Sequence, residues 1–326
     1  MSLTTSTTVT HLTRAEVWSA QIKEILKDEL SGQGYVNWRT DFPDGTALNI
    51  PSIGDASVRD YTEDTAIVYD SLDTGEFTLD ISEYKQSGLY ITEKARQDAF
   101  YAAQLEAGFV PKISRALAEQ VETNIFALAD PTDSTGDHTQ TTNNANAING
   151  ANHRLIGQGS SDVIALADFA KALYALKKAN VPDTNLIAIV DPSVEYELNT
   201  IGAIDTLGIT NQRWDNIVED GIGRGLRFTK NIYGFDVYVS NYLARTGAAE
   251  AGISAPTAGN GVNNILFSAA SPDIIPFIGA WRQEPKVDSD YNKDFQREEY
   301  VITARYGLDL YRPENFVTIV TDATQV

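Results

Sequence analysis

Residues 75–82 read GEFTLDIS, and Thr92 then opens a run of helical spacing that reaches Ala129. In the first stretch Phe77, Leu79 and Ile81 alternate with Glu76, Thr78, Asp80 and Ser82, the period of a half-buried strand. Upstream, Leu48 and Ile50 alternate with Asn49 and Pro51, and the connecting stretch carries Asp55, Asp60, Glu63 and Asp64. The spacing predicts a long polar β-ribbon over 45–91, bulged where the alternation fails at Glu83-Tyr84. Such a ribbon has one apolar stripe and too little sequence for a core of its own. A two-stranded ribbon is marginal in water, so this one is expected to complete itself on another surface. The candidates for contact between copies are Arg59, Asp60, Tyr61, Phe77, Leu79, Ile81 and Lys85. The expectation is assembly rather than turnover.

Thr92 is a suitable N-cap for the long helix, with Glu93 in its first turn. Gly108 and Pro111 interrupt the pattern and predict a kink. Beyond it Phe109, Ile113, Leu117, Val121, Ile125 and Leu128 form a core-facing stripe. Continuous through the kink, such a helix spans on the order of 50 Å, the dimension of a strut.

Before the ribbon, residues 1–14 read as a loose arm and Ala15–Leu30 as an amphipathic helix closed by Ser31-Gly32-Gln33-Gly34. After the long helix, 130–162 is rich in Thr, Asn, Ser and Gly and is expected to be an exposed loop. An α/β pattern follows. Leu166, Phe169, Leu173 and Leu176 stripe a helix that stops at Asn180-Val181-Pro182, and Leu186–Val190 is a short buried strand. Asp191-Pro192 caps the next helix, and Phe235, Val237 and Val239 alternate in another strand. Residues 244–261 read as a second loop. The strongest strand signal is Glu299–Tyr311, where Tyr300, Ile302, Ala304, Tyr306, Leu308 and Leu310 alternate until Pro313 halts the run before Phe316–Val320.

A chain of 326 residues can hold a substantial core. Its formal charge of −20, from 25 basic against 45 acidic residues, opposes any surface built to grip phosphates. An aromatic content of 10% is that of a folded protein, so disorder does not explain the charge. With no cysteine, disulfides, thiol nucleophiles and thiolate metal sites are excluded. The N-terminus lacks a signal pattern, no apolar run reaches membrane length and no Asn-X-Ser/Thr acceptor occurs, which reads as a soluble intracellular chain.

Catalytic chemistry finds little support. His11, His138 and His153 lie in the arm and the polar loop, without metal or catalytic flanks, and are expected at the surface. No Gly-X-Ser-X-Gly elbow occurs, and Gly221-Ile-Gly-Arg-Gly225 fits neither the P-loop nor the dinucleotide fingerprint, so a turn is the better reading. Glu195 and Glu197 sit two apart on a helix and face different ways, a poor carboxylate pair for glycoside hydrolysis. Asp288, Asp290, Asn292 and Glu299 imitate a calcium loop, but Lys293 stands where that loop needs Gly and a strand follows instead of a helix. An incidental acidic loop is favoured. No catalytic residue, metal site or cofactor is assigned.

Three words stand in order: Lys177-Lys178-Ala179-Asn180-Val181-Pro182 at a helix exit, Gly234-Phe235-Asp236-Val237-Tyr238-Val239-Ser240-Asn241 in a strand, and Tyr306-Gly307-Leu308-Asp309-Leu310-Tyr311-Arg312-Pro313-Glu314 in the closing strands. With the ribbon and strut before them, the chain resembles the major capsid proteins of tailed bacteriophages over nearly its whole length. The resemblance implies an α+β, HK97-like capsid fold: an N-terminal arm (1–44), an extended β-ribbon loop (45–91), a spine helix and polar loop of a peripheral domain (92–162), an axial α/β domain (163–284) and C-terminal strands of the peripheral domain (285–326).

It further implies a structural, non-enzymatic protein that forms pentamers and hexamers of an icosahedral virion shell, assembled in the host cytoplasm around double-stranded DNA. A scaffolding protein, a portal protein and a decoration protein are the implied partners, with no membrane and no sequence-specific DNA contact. Family cross-links join a ribbon lysine to an asparagine of a neighbour; Lys85 lies near the ribbon's base, so the cross-link is not carried over. The alternatives are an encapsulin-like shell around an enzyme cargo and an acidic soluble carbohydrate hydrolase.

Overall fold

Eight consecutive residues, Gly261–Ser268, are all buried, as in a central strand covered on both faces. This strand organises the computed structural model, which describes residues 32–39, 45, 47–53, 58, 60, 63–64, 66, 74–98, 102–129, 148–159, 162–204, 231–246 and 261–323. In chain order its elements begin with β1 (Val36–Arg39), β2 (Ala47–Ile53), β3 (Thr74–Asp80), β4 (Glu83–Thr92), α1 (Glu93–Asp98) and α2 (Ala102–Ala127). There follow β5 (Arg154–Ile156), α3 (Leu166–Lys178), β6 (Leu186–Val190), α4 (Pro192–Ile204), β7 (Asn231–Ile232), β8 (Phe235–Val239) and β9 (Arg245–Thr246). The chain closes with β10 (Gly261–Ser268), β11 (Phe277–Asn292), β12 (Arg297–Leu310) and β13 (Phe316–Asp322).

The largest sheet has the order β5-β13-β10-β6-β8-β7, with β9 paired to β10. Its side chains alternate between two cores. Leu186, Ala188, Val190, Leu266, Val317 and Ile319 meet Phe169 and Leu176 of α3 and Val194 and Leu198 of α4. Ile187, Ile189, Ile265, Phe267 and Phe316 point the other way, into a cluster shared with Ile113, Leu117, Val121 and Ile125 of α2. Each fully buried side chain of this size contributes roughly 1.5–3 kcal/mol.

A second sheet, β1-β11-β12-β4, is built on one long hairpin. Ile302, Ala304 and Tyr306 of β12 alternate into the α2 core, as the sequence pattern predicts. Aromatic contacts join the sheets: Phe277 lies edge-on to Phe267 at 6.1 Å and to Phe316 at 5.3 Å. Trp38 of β1 stacks on Trp281 of β11 at 4.7 Å, and Trp281 meets Tyr306 at 5.2 Å. The third sheet is the two-stranded β2-β3.

Strand pairing crosses the expected segment boundaries. β4 does not extend the ribbon but pairs with β12, Glu83 opposite Tyr306 and Thr92 opposite Arg297. The transfer between sheets falls at Ile81-Ser82, outside both strands, just before the place where a bulge was expected. β13 returns to the large sheet beside β10, while β11 starts the hairpin, so the cut at 284/285 falls inside β11 and does not separate the two sheets.

Thr92 does cap, its Oγ1 accepting from the Ala95 N–H at 3.3 Å, and helix is described on both sides of 99–101, as α1 and α2. α2 runs over Gly108 and Pro111 without stopping there, for 26 residues, about 39 Å. The buried stripe Ile113, Leu117, Val121, Ile125 and Leu128 supplies the packing that sustains it. The helix expected at 15–30, His11, His138 and the glycines at 221–225 lie outside the described residues.

The expected exposed loop at 130–162 requires correction in its second half. β5 pairs parallel to β13, Arg154 opposite Thr318. Arg154 is buried, donating from Nη1 to the Ala129 carbonyl at 3.1 Å and from Nη2 to Asn263 Oδ1 at 3.1 Å, which ties the end of α2 to the large sheet. His153 is buried as well: its Nδ1–H donates to the Phe316 carbonyl at 3.1 Å, and its own carbonyl accepts from the Thr318 N–H. A three-residue strand containing arginine, in a polar context, leaves no apolar period to detect.

Burial holds the His153 imidazole below its ordinary pKa, against the opposing pulls of the Phe316 carbonyl and Glu314. Below about pH 6.5 the unfolded chain takes up a proton that folded His153 resists, so the fold loses stability as pH falls from there toward the lowered value. Thermal melts between neutral and mildly acidic pH should show this loss, and His153→Gln, which keeps a donor, should flatten it. An unchanged slope in that variant would assign the acid sensitivity elsewhere.

Candidate assembly surface

The ribbon runs in antiparallel register from Ala47 opposite Asp80 to Ile53 opposite Thr74. Neither strand has a further β partner among the described residues. At its base Leu79 and Ile81 are buried with Ile278 and Ala280 of β11, and Leu48, Ile50, Phe77 and Tyr311 cover the edge. Phe77 lies edge-on to Tyr311 at 5.0 Å. The apolar stripe that seemed to need a neighbour is therefore already covered, at this end, by its own chain. The physical reason is that the hairpin sheet brings Ile278 and Ala280 to the foot of the ribbon.

Val58 is 98% exposed and Asp60 is exposed, while Arg59 and Tyr61 lie outside the described residues. Lys85 is on β4 opposite Ala304, with its Nζ 2.7 Å from the Glu83 carboxylate. Of the seven candidates, the described ones divide into a buried foot (Leu79, Ile81), the partly buried Phe77 and Lys85, and the exposed Asp60.

The calcium-like set lies at the far end of the β11–β12 hairpin. Asp290 faces Glu299 across the ladder, and Asp288 faces Val301 while pairing with Lys286 at 2.7 Å. Asn292 Oδ1 accepts from the Asp294 N–H at 3.1 Å, closing the turn, and Asn292 Nδ2 donates to Glu299 Oε1 at 3.1 Å. Arg297 Nε donates to the same carboxylate oxygen, and this bond holds Glu299 below the usual carboxylate range. The Arg297 guanidinium also sits 4.6 Å over the Tyr90 ring and 4.7 Å over Phe295. The stretch folds as strand, tight turn and strand, so the ligands of a wrapped loop do not converge. Among the described residues no group of three or more Asp, Glu, His or Cys is placed to hold a metal ion.

A further feature was not anticipated. Glu122 is buried on α2 and accepts the backbone N–H of Gly32 at 2.6 Å and of Gln33 at 3.1 Å. Gln33 Nε2 donates to the Ala118 carbonyl at 3.0 Å. A Cβ on Gly32 would stand 2.8 Å from the Phe126 ring, so only glycine approaches the helix this closely. The clamp fixes Gly32 and Gln33 against α2. Its one trace in the sequence is a glutamate in phase with Ala118 and Ile125, on the apolar side of the helix.

The profile of the phage capsid protein family matches residues 75–319. The chain belongs to that family. It is a structural, major capsid protein, and its α+β architecture is shared with solved phage capsids. The capsid of cyanophage Pam1 is similar at TM-score 0.68 and 16% identity, over 100% of this chain and 99% of that one. The capsid of cyanophage P-SCSP1u is similar at TM-score 0.68 and 16% identity, over 93% and 91%. A Mycobacterium phage Che8 chain is similar at TM-score 0.64 and 17% identity, over 93% and 96%. At such identities the likeness carries the fold. No curated protein matches by sequence.

In this capsid protein the ribbon's foot depends on one close approach. A Cβ at Gly307 would collide with the Asp80 carbonyl oxygen, which is backbone and cannot yield. Gly307→Ala should cost about 1–3 kcal/mol in a denaturant melt, as overpacked sites do. Gly34→Ala is the control, with nothing within 4 Å of its Cβ, and should be near neutral. Equal melts for the two variants would show that the foot does not rest on β12 as described.

Proposed function

We propose that copies of this protein assemble into pentamers and hexamers of a closed icosahedral shell around double-stranded DNA, in the cytoplasm of the host. The observation that carries this reading is the ribbon β2–β3: it is anchored at its foot, unpaired along both outer edges among the described residues, and exposed at Val58. Unpaired edges are ready templates for pairing with another chain. The ribbon would lie across a neighbouring subunit, while the three-layered region around β10 would serve as the axial part of each capsomer. Residues 1–31, which precede the Glu122 clamp in sequence, would add reach to a further copy.

A net charge of −20 suits a wall that packaged DNA must not stick to. It also makes association between copies sensitive to ionic strength, which screens like charges separated by more than about 10 Å at 0.1 M salt. With so acidic a subunit, a separate scaffolding protein would guide closure, a portal protein would occupy one vertex and a decoration protein would bind outside.

Replacing residues 54–73 by a short Asn-Gly turn tests the reading. The shortened chain should keep the melting behaviour of the parent but form no shells, alone or with scaffolding protein, in electron micrographs and sedimentation. Closed shells from the shortened chain would overturn the role of the ribbon. A parent chain that stays monomeric under every salt and divalent-cation condition, with scaffolding protein present, would overturn assembly itself.

A further inference from the structure

In a chain with 45 acidic residues, the exposed side of α3 is basic. Lys171, Lys177 and Lys178 project from it around the exposed ring of Tyr174, and the helix's one acid, Asp168, is buried at its N-terminus. Lys177 pairs with Asp183 at 3.2 Å. Lys171 and Lys178 have no ion-pair partner among the described residues. α4 carries the opposite sign: Glu195 and Glu197 flank the exposed Tyr196, and neither carboxylate has an ion-pair partner among the described residues.

Topology sets the two helices side by side. β5 and β6 run parallel through the antiparallel pairs with β13 and β10, and β6 runs parallel to β8. The connections through α3 and from α4 step the same way across the sheet, so right-handed crossovers place both helices on one face. They share one core there, with α3 packed on β13 and β5. One layer thus carries a basic helix with an exposed tyrosine, and another whose exposed Tyr196 lies between two half-buried glutamates.

We propose that this layer is the head-to-tail contact between neighbouring subunits of a capsomer, α3 of one copy meeting α4 of the next. The inference rests on the assembly reading above and names the surfaces it uses. A heterologous contact of this kind closes into a ring when its rotation fits. Complementary charge steers the encounter and sets its direction, and the tyrosines supply apolar area at low entropic cost. Exposed ion pairs are individually weak, but the same contact recurs at every junction of the ring.

Charge reversal provides the test. Lys171→Glu with Lys178→Glu makes both halves acidic, and Glu195→Lys with Glu197→Lys makes both basic. Each double variant, checked for a melting curve like the parent's, should lose rings and shells at least tenfold in sedimentation and electron microscopy, whereas the quadruple variant should regain assembly to within about twofold. A mixture of the two double variants should form rings of six, in which they alternate, and no rings of five, in which alternation cannot close. Double variants that assemble like the parent would overturn this contact and leave the assembly reading standing. So would a folded quadruple variant that fails to assemble, or an α3 reversal that leaves rings intact and only reduces DNA retention. A parent that never forms rings would overturn both.

Discussion

Burying both faces of one sheet is the constraint on which this structure depends. β6, β10 and β13 are apolar on both sides, so neither a helical layer nor a second sheet alone can cover them. Covering one face recruits α3 and α4. Covering the other recruits α2, the hairpin β11–β12 and β1, linked through Phe267, Phe277 and Phe316. Elements remote in sequence become one body, and β2–β3 stands as a separate two-stranded sheet at its side.

Polar groups inside that body set its register. Asn264, in the middle of β10, accepts the Asp191 N–H with Oδ1 at 2.9 Å and donates from Nδ2 to the Ile319 carbonyl and Thr321 Oγ1. Asp191 in turn caps α4, its Oδ2 accepting from the Ser193 N–H at 3.0 Å. Asn315 bridges Ser268 and Ile274 in a similar way. A one-residue slip of any of these strands would leave buried donors and acceptors without partners, at a cost of roughly 1–3 kcal/mol for each group. Apolar packing makes the sheet compact, and these side chains decide which compact sheet forms.

Elements that bury one face were legible in the sequence, since their apolar period survives: β3, β8, β12, α3 and the latter half of α2 all lie where alternation or helical spacing placed them. Local chemistry was legible too, in the caps at Thr92 and Asp191 and the stop at Pro313. β10 was not, because a strand buried on both faces has no alternation and Asn263-Asn264 interrupts its apolar run. β11 was missed as well, and beyond Pro285 its exposed acidic end reads as loop. The stripe Phe77, Leu79, Ile81 was read correctly as apolar, yet its partners Ile278 and Ala280 lie some two hundred residues away, beyond any local pattern. The Glu122 clamp and the buried His153 and Arg154 share that cause: each is explained by a contact that only the tertiary fold creates.

The central claim is that assembly engages the ribbon while the doubly covered sheet is already complete in the single chain. Hydrogen exchange, compared between free subunits and assembled shells, tests it most directly. Amides of 47–53 and 74–80 should gain strong protection in shells, with those of β6, β10 and β13 protected equally in both states. Ribbon amides that exchange alike in both states, or central strands that become protected only on assembly, would contradict it.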